Sequence, residues 1–143
     1  SNFKRGILVK HGLIVLFALM ISACAGVPVT RDDANRAQFA AKPTEEEAMR
    51  KIRGYLESVL IDPESLRLKC SKVTDRAWAR ENMFDQPQFG YLVVCEVNAK
   101  NKFGGYTGGK EHIFLFNGST FEVFDDSLHG SRGGRGTHYD LIK

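Results

Sequence analysis

The sequence predicts an α+β domain over residues 44–125, in which one amphipathic helix packs on a small antiparallel sheet. Three observations predict this class. A capping signal at residues 43–47 precedes apolar residues spaced three and four apart. Runs in which apolar and polar residues alternate come next. An Asn-Gly pair at residues 117–118 then separates two apolar runs, which is typical of a β-hairpin.

The helix is predicted to begin at Thr44. A threonine at this position caps the first backbone N–H groups, and Glu47 occupies the reciprocal position of a capping box. The apolar stripe that follows would face the sheet and consists of Ala48, Ile52, Tyr55, Leu56, Val59 and Leu60. Asp62 and Pro63 end the helix, and Pro63 is suited to open one further short turn.

The strands follow the helix. Leu66, Leu68 and Cys70 alternate with polar residues and predict a first strand. Residues 74–87 read as a polar connection, in which Trp78 is expected to act as a lid on the core. Residues 89–99 form the most β-prone run of the chain, and one of its faces is expected to carry Tyr91, Val93, Cys95 and Val97.

The hairpin supplies the last two strands, at residues 111–116 and 119–124. Asn and Gly are the residues that a type I′ turn prefers, because both central positions need a positive φ. With Asn117 and Gly118 as a two-residue loop, Phe114 would lie opposite Phe121 and His112 opposite Val123.

Segments of different composition flank this domain. Residues 24–43 mix small and charged residues without a sustained apolar stripe, which predicts a flexible tether in which a weak helix could form over residues 32–41. Residues 126–143 begin with a run of Gly, Ser and Arg and are predicted to be a mostly disordered tail. Tyr139, Leu141 and Ile142 are its candidates for docking on the domain.

The first 23 residues have the pattern of an export signal. They hold three basic residues and no acidic ones, so that the rest of the chain is neutral, with 17 charges of each sign. The unbroken apolar run from residue 12 to residue 21 is far shorter than the about 20 residues that a membrane-spanning helix needs. A basic start, a short apolar run and small residues therefore predict a signal peptide.

The residues after that run, Ile21, Ser22, Ala23 and Cys24, resemble the lipobox of bacterial lipoproteins. The resemblance implies that Cys24 is lipidated, with palmitate among its acyl chains, and becomes the first residue of the mature chain. It implies three acyl chains, and two or more hold a protein stably on a membrane. Ala25 rather than Asp at the next position implies the outer membrane, on the side that faces the periplasm.

Two further stretches, residues 60–65 (LIDPES) and 94–108 (VCEVNAKNKFGGYTG), resemble a group of small exported bacterial proteins and lipoproteins. In that group an "L-x-DP-x-S" turn is followed by a strand and loop of the form "VC-(G)-EVNAKN-x-FGGY-x-G". The Gly that usually follows the Cys is absent here. The resemblance covers roughly residues 45–117, implies one exported domain, and implies no activity.

The Gly-rich loop at residues 101–109 has two interpretations. As a recognition loop on a rigid sheet, it would present Asn98, Lys100, Asn101 and Tyr106 to a ligand. As a wide turn between strands, it would use its Asn side chains to hold the turn, with Phe103 and Tyr106 packed on the core.

Two cysteines remain besides Cys24, and both are predicted on the apolar face of their strands. In the oxidising periplasm Cys70 and Cys95 could form a disulfide, which would contribute about 3.5 kcal/mol in the chain-entropy model. The alternative is a pair of buried free thiols on strands that are not adjacent.

No sequence pattern predicts catalysis, a metal or another cofactor. The spacings of zinc ligands, of a nucleophilic serine and of a phosphate-binding loop are missing. One Arg-Gly-Gly element at residues 132–134 is too little to predict nucleic-acid binding in a chain whose remainder is neutral.

The sequence therefore predicts a periplasm-facing lipoprotein that acts as an interaction module with another envelope protein. The alternative is a protein that binds cell-wall glycan or a small envelope ligand through Trp78, Asn101 and Tyr106. An envelope hydrolase has the least support.

Overall fold

The computed structural model describes residues 26–125 and 137–143. Over these ranges the chain forms, in order, α1 (Arg31–Arg36), α2 (Glu45–Val59), a short 3-10 helix (Pro63–Ser65), β1 (Arg67–Cys70), β2 (Arg76–Arg80), β3 (Gln88–Asn98), β4 (Lys110–Asn117), β5 (Thr120–Asp125) and β6 (His138–Leu141). The predicted signal peptide, the predicted lipobox with Cys24, and residues 126–136 of the predicted tail lie outside the described residues.

The described strands form one antiparallel sheet in the order β5-β4-β3-β2-β6. Strand β3 has 11 residues and is long enough to pair with two short strands along the same edge. Its second half pairs with β1, where Cys70 lies opposite Cys95, and its first half pairs with β2, where Arg76 lies opposite Tyr91. One main helix on this sheet confirms the α+β class, with more sheet than the sequence predicted.

The helix face of the sheet, defined as the side against α2, carries the larger core. Ala48, Ile52 and Leu56 of α2 are almost fully buried, as the apolar stripe predicts. They pack on a floor formed by the predicted face of β3 and by β4, which consists of Tyr91, Val93, Cys95, Val97, Phe114 and Phe116. Val59 lies on the same stripe and is nevertheless 54% exposed, because α2 continues past the closely packed part of the floor.

The start of α2 confirms the predicted capping box. Thr44 Oγ1 accepts a hydrogen bond from Glu47 N at 3.2 Å, and Glu47 Oε2 accepts one from Thr44 N at 2.9 Å. The hydrogen bonds from the backbone and the hydroxyl of Thr44 favour the ionised carboxylate and hold the pKa of Glu47 below its ordinary value.

The opposite face of the sheet carries a second cluster of buried residues, which consists of Ala77, Ala79, Leu92, Ile113, Leu115 and Phe124. Gly90 belongs to this face, since it pairs with Ala77. A Cβ atom at Gly90 would lie 2.4 Å from the Phe116 carbonyl oxygen, so only glycine permits this approach of β3 to β4. The sheet therefore has buried side chains on both of its faces.

The segment predicted to be a flexible tether contacts the domain at several of its residues between 26 and 43. Phe39 packs edge-on against Phe89 and Tyr91, and Tyr91 donates a hydrogen bond from its hydroxyl to the Ala40 carbonyl. Ala40 N donates in turn to Asn117 Oδ1 at 2.8 Å. The apolar contact of this segment comes from Phe39 alone, so no periodic pattern of apolar residues predicts it.

The predicted polar connection at residues 74–87 contains β2, so Trp78 lies on a strand, opposite Phe89, and not in a loop. The inward residues of β2 are Ala77 and Ala79, whose small side chains give a weak strand signal. They are small because they pack on the face that holds Gly90.

The predicted tail is likewise not uniform. Its residues 138–141 form β6, which pairs with β2 and places Tyr139 opposite Ala79 and Leu141 opposite Ala77. Ile142 N donates a hydrogen bond to the Arg76 carbonyl. The docking expected of Tyr139, Leu141 and Ile142 is thus observed, in the form of an edge strand.

The β4–β5 hairpin is confirmed with a register shifted by two residues. Phe114 lies opposite Val123 and Phe116 opposite Phe121, since Asn117 pairs with Thr120 and the turn consists of residues 118–119. Among the described residues, only glycines have a positive φ, and Gly118 at +63° fits the first central position of a type II′ turn. A shift of two residues keeps every side chain on its predicted face.

Candidate functional site

The Gly-rich loop is docked on the short 3-10 helix that follows α2. Ser65 Oγ accepts a hydrogen bond from Lys100 N at 2.8 Å, and the Tyr106 hydroxyl donates to the Ser65 carbonyl at 2.9 Å. Ser65 Oγ itself donates to the Asp62 carbonyl. The two stretches that carry the family resemblance thus meet in space at one serine.

Asn101 holds the turn of the loop from within. Its side-chain Oδ1 accepts hydrogen bonds from Phe103 N and Gly105 N, and its backbone exchanges two more with Gly104 and Gly105. Gly104 and Gly108 have φ values of +80° and +98°, which explains glycine at both positions. These contacts agree with the interpretation of the loop as a wide turn, although Phe103 is 84% exposed and does not pack on the core.

The other predicted recognition residues also make contacts within the chain. The Arg67 guanidinium lies 4.1 Å from the centre of the Tyr106 ring, and Lys100 Nζ lies 5.8 Å from it. Asn98 is half-buried, and its Oδ1 is enclosed without a hydrogen-bond partner. The four residues therefore lie near one another, with Asn101 and Tyr106 committed to the shape of the loop.

The three residues of the glycan-binding alternative do not form one site. Trp78 pairs with Phe89 at the start of β3, whereas Asn101 follows its end. Phe89 and Asn98 are nine positions apart along the extended strand, which corresponds to about 30 Å. Trp78 is instead packed under Arg80, whose guanidinium lies 5.2 Å from the indole ring.

A groove of about 570 Å³ opens between the end of α2 and the Gly-rich loop, and we call it the distal groove. Its helix side is apolar and is lined by Tyr55, Leu56, Val59, Leu60 and Ile61. Its sheet and loop side is lined by Val97, Ala99, Lys100, Asn101, Thr107, Gly108, Lys110 and His112. Ile61 is 70% exposed there, which is a large apolar surface to leave in contact with water.

The charge of the distal groove has one sign. Lys100 and Lys110 line it, and none of its described lining residues is acidic. His112 stacks near Phe114 at 6.2 Å between ring centres, and its Nδ1 lies 3.2 Å from the Lys110 carbonyl oxygen. An apolar wall beside two lysine residues suits a ligand that combines apolar groups with a carboxylate.

Sequence reasoning missed this groove. The apolar stripe predicts Val59 in the core, and no sequence pattern assigns a role to Ile61. The one available signal is that the apolar residues 59–61 run on without the spacing of a helix face. The distal groove becomes visible only when the helix end, β4 and the Gly-rich loop are brought together.

The cysteines form the predicted disulfide between Cys70 and Cys95, which face one another on β1 and β3. Cys95 is fully buried beneath α2. The bond joins the short edge strand β1 to the central strand at the end of the sheet that carries the distal groove. It therefore braces one border of the site.

Two other features were sought in the part of the chain that the structure describes: a metal-binding cluster and a membrane-spanning helix. Residues 26–125 and 137–143 hold no group of three or more His, Cys, Asp or Glu side chains arranged for a metal ion. No helix within these ranges is long and apolar enough to cross a bilayer. No protein-family model, curated protein or solved structure matches the chain.

Proposed function

We propose that the protein is a lipid-anchored, periplasm-facing lipoprotein whose domain binds another envelope protein through the distal groove. The observation that carries the proposal is the exposed apolar surface of Val59 and Ile61 beside Lys100 and Lys110. The occupant we propose is an apolar segment of the partner that bears at least one acidic side chain. Its carboxylate would face the two lysines while its apolar groups cover Ile61.

The cellular location rests on two supports. The lipobox at residues 21–24 ends a signal-type segment, which is where a lipidated cysteine belongs. The disulfide between Cys70 and Cys95 suits an oxidising compartment such as the periplasm. Export and anchoring thus account for the fate of each of the three cysteines in the sequence.

The anchor is tested by changing Cys24 to Ser and labelling cells with a fatty acid. The expected result is that the wild type incorporates label, is processed and fractionates with membranes, and that Cys24→Ser does none of these. A Cys24→Ser protein that is processed and membrane-bound like the wild type contradicts the anchor. Fractionation of inner from outer membrane then tests the proposed outer-membrane location.

The groove is tested by placing a photo-crosslinking amino acid at Ile61 in cells. Ser58 serves as the matched control position, because it lies three residues before Ile61, is exposed on the last turn of α2 and does not line the groove. We expect position 61 to trap one partner, position 58 to trap none, and Lys110→Glu to weaken the crosslink at 61. Equal crosslinking at both positions, or crosslinking indifferent to Lys110→Glu, contradicts the proposed interface.

A further inference from the structure

The described chain begins at one end of the sheet, against the loop of residues 81–87 between β2 and β3. Val27 N donates a hydrogen bond to the Met83 carbonyl at 2.9 Å, and the Arg80 guanidinium donates to the Val27 carbonyl. Gly26 packs so closely that a Cβ atom there would lie 2.7 Å from the Met83 carbonyl oxygen. The chain is therefore held to this loop from its first described residues.

This attachment limits how far the domain can stand from Cys24. Three peptide units connect Cys24 to Val27, and Cα atoms are about 3.8 Å apart, so the two Cα atoms can be at most about 11 Å apart. If Cys24 carries acyl chains, as the proposed function requires, the end of the sheet at Val27 must lie close to the lipid surface.

The same end of the sheet exposes apolar side chains. Phe84, at the tip of the 81–87 loop, is 60% exposed, and Val27 is 39% exposed. Asn82 fixes the tip, because its Oδ1 accepts a hydrogen bond from Phe84 N and its amide Nδ2 donates to the Asp85 carboxylate. Arg80, a cation at this end of the sheet, is buried. The 81–87 loop, held by these hydrogen bonds, therefore exposes the Phe84 ring. This ring lies at the end of the sheet that the proposed anchor keeps close to the bilayer.

We propose that Val27 and Phe84 form a membrane-contact surface, and that Phe84 enters the boundary between lipid headgroups and acyl chains when Cys24 is anchored. An apolar ring gains from burial at this boundary, and the covalent anchor removes the cost of bringing it there. Strand β3 then leads away from the bilayer, and its 11 residues place the distal groove about 33 Å further out. The inference rests on the proposed lipid anchor and adds an orientation to it.

The test uses the full lipidated protein in vesicles of phosphatidylethanolamine and phosphatidylglycerol whose acyl chains carry bromine, a contact quencher of tryptophan. Phe84→Trp reports on the proposed contact, and Phe103→Trp, an exposed phenylalanine in the Gly-rich loop, is the matched control at the other end of the sheet. Wild type, with Trp78 alone, supplies the background. Flotation of the vesicles measures anchoring separately.

We expect Phe84→Trp to lose the emission added by residue 84 when the lipids are brominated, and Phe103→Trp to keep its added emission. Protein that floats with vesicles while Phe84→Trp stays unquenched overturns the orientation and leaves the anchor intact. Quenching of Phe103→Trp with none of Phe84→Trp reverses the orientation and also overturns the inference. Protein that carries no lipid and does not float overturns the anchor and, with it, the membrane contact.

Discussion

Removing the disulfide should destabilise the domain by an amount that can be worked out from the loop it closes. Cys70 and Cys95 are 25 residues apart, and that loop contains all of β2. In the chain-entropy model, cross-linking a loop of this length restricts the unfolded chain at a cost of about 3.5 kcal/mol at 25 °C. Breaking the bond returns that freedom to the unfolded state, so we expect the free energy of unfolding to fall by about 3.5 kcal/mol.

The assay is urea unfolding of wild type and of the double variant Cys70→Ala/Cys95→Ala. With a urea dependence of roughly 1–3 kcal/mol per molar, the midpoint should fall by about 1.2–3.5 M. Wild type treated with a reductant is the matched control, because it loses the cross-link and keeps both sulfur atoms in place. The double variant in the same reductant controls for effects of the reductant itself.

Reduction of the wild type removes only the cross-link, whereas the double variant removes the cross-link and the packing of the sulfur atoms. Comparing them separates these two causes of destabilisation. If the cross-link accounts for the stability, reduced wild type and the double variant should unfold at similar urea concentrations. If reduction leaves the wild-type midpoint unchanged and only the double variant is destabilised, the effect is lost packing around Cys95. That result would refute the loop argument, whatever the size of the fall in the double variant.

Three further predictions concern the helix, the sheet and pH. Ile52→Ala removes a fully buried side chain between α2 and the sheet, and should lower the free energy of unfolding, measured with urea, by about 2–5 kcal/mol. Arg53→Ala changes an exposed residue and is the control, with little change expected. Gly90→Ala should cost about 1–3 kcal/mol and lower the thermal midpoint, since its methyl group would meet the Phe116 backbone; an unchanged midpoint would contradict that close approach. The lowered pKa of Glu47 means that its capping contribution is present above the ordinary glutamate pKa of 4.5 and is lost as pH falls through the lowered value. The stability difference between wild type and Glu47→Gln should therefore shrink in acid, and a constant difference across that range would refute the linkage.

The elements that sequence predicts well are those whose signals are local. The capping box of α2 needs only Thr44 and Glu47, three residues apart, and it forms as expected. The hairpin is similar, but its exact register depends on a distant contact. The Asn117 amide donates to the carbonyls of Gln38 and Phe89, which keeps Asn117 in the strand and moves the turn to residues 118–119.

The elements that sequence misses depend on partners far along the chain. Strand β6 is four residues long and pairs with β2, about sixty residues earlier in the chain. Its sequence is too short to show the alternation of apolar and polar residues that predicts a strand. Residues 38–40 dock through Phe39, a single aromatic residue. The distal groove is missed for the same reason, because its walls come from the end of α2, the Gly-rich loop and β4.

Ser65 links two distant stretches of the sequence, residues 60–65 and residues 94–108. Ser65 binds Lys100 N and the Tyr106 hydroxyl, so the "DP-x-S" turn and the "FGGY" loop stabilise one another. Polar residues that would suggest a ligand site are thereby used to hold one border of the distal groove. The proposed partner would then contact the apolar surface of Ile61 and the charges of Lys100 and Lys110. A variant that breaks the Tyr106 contact should therefore act on binding through the shape of the groove, whereas one at Ile61 acts on the contact surface itself.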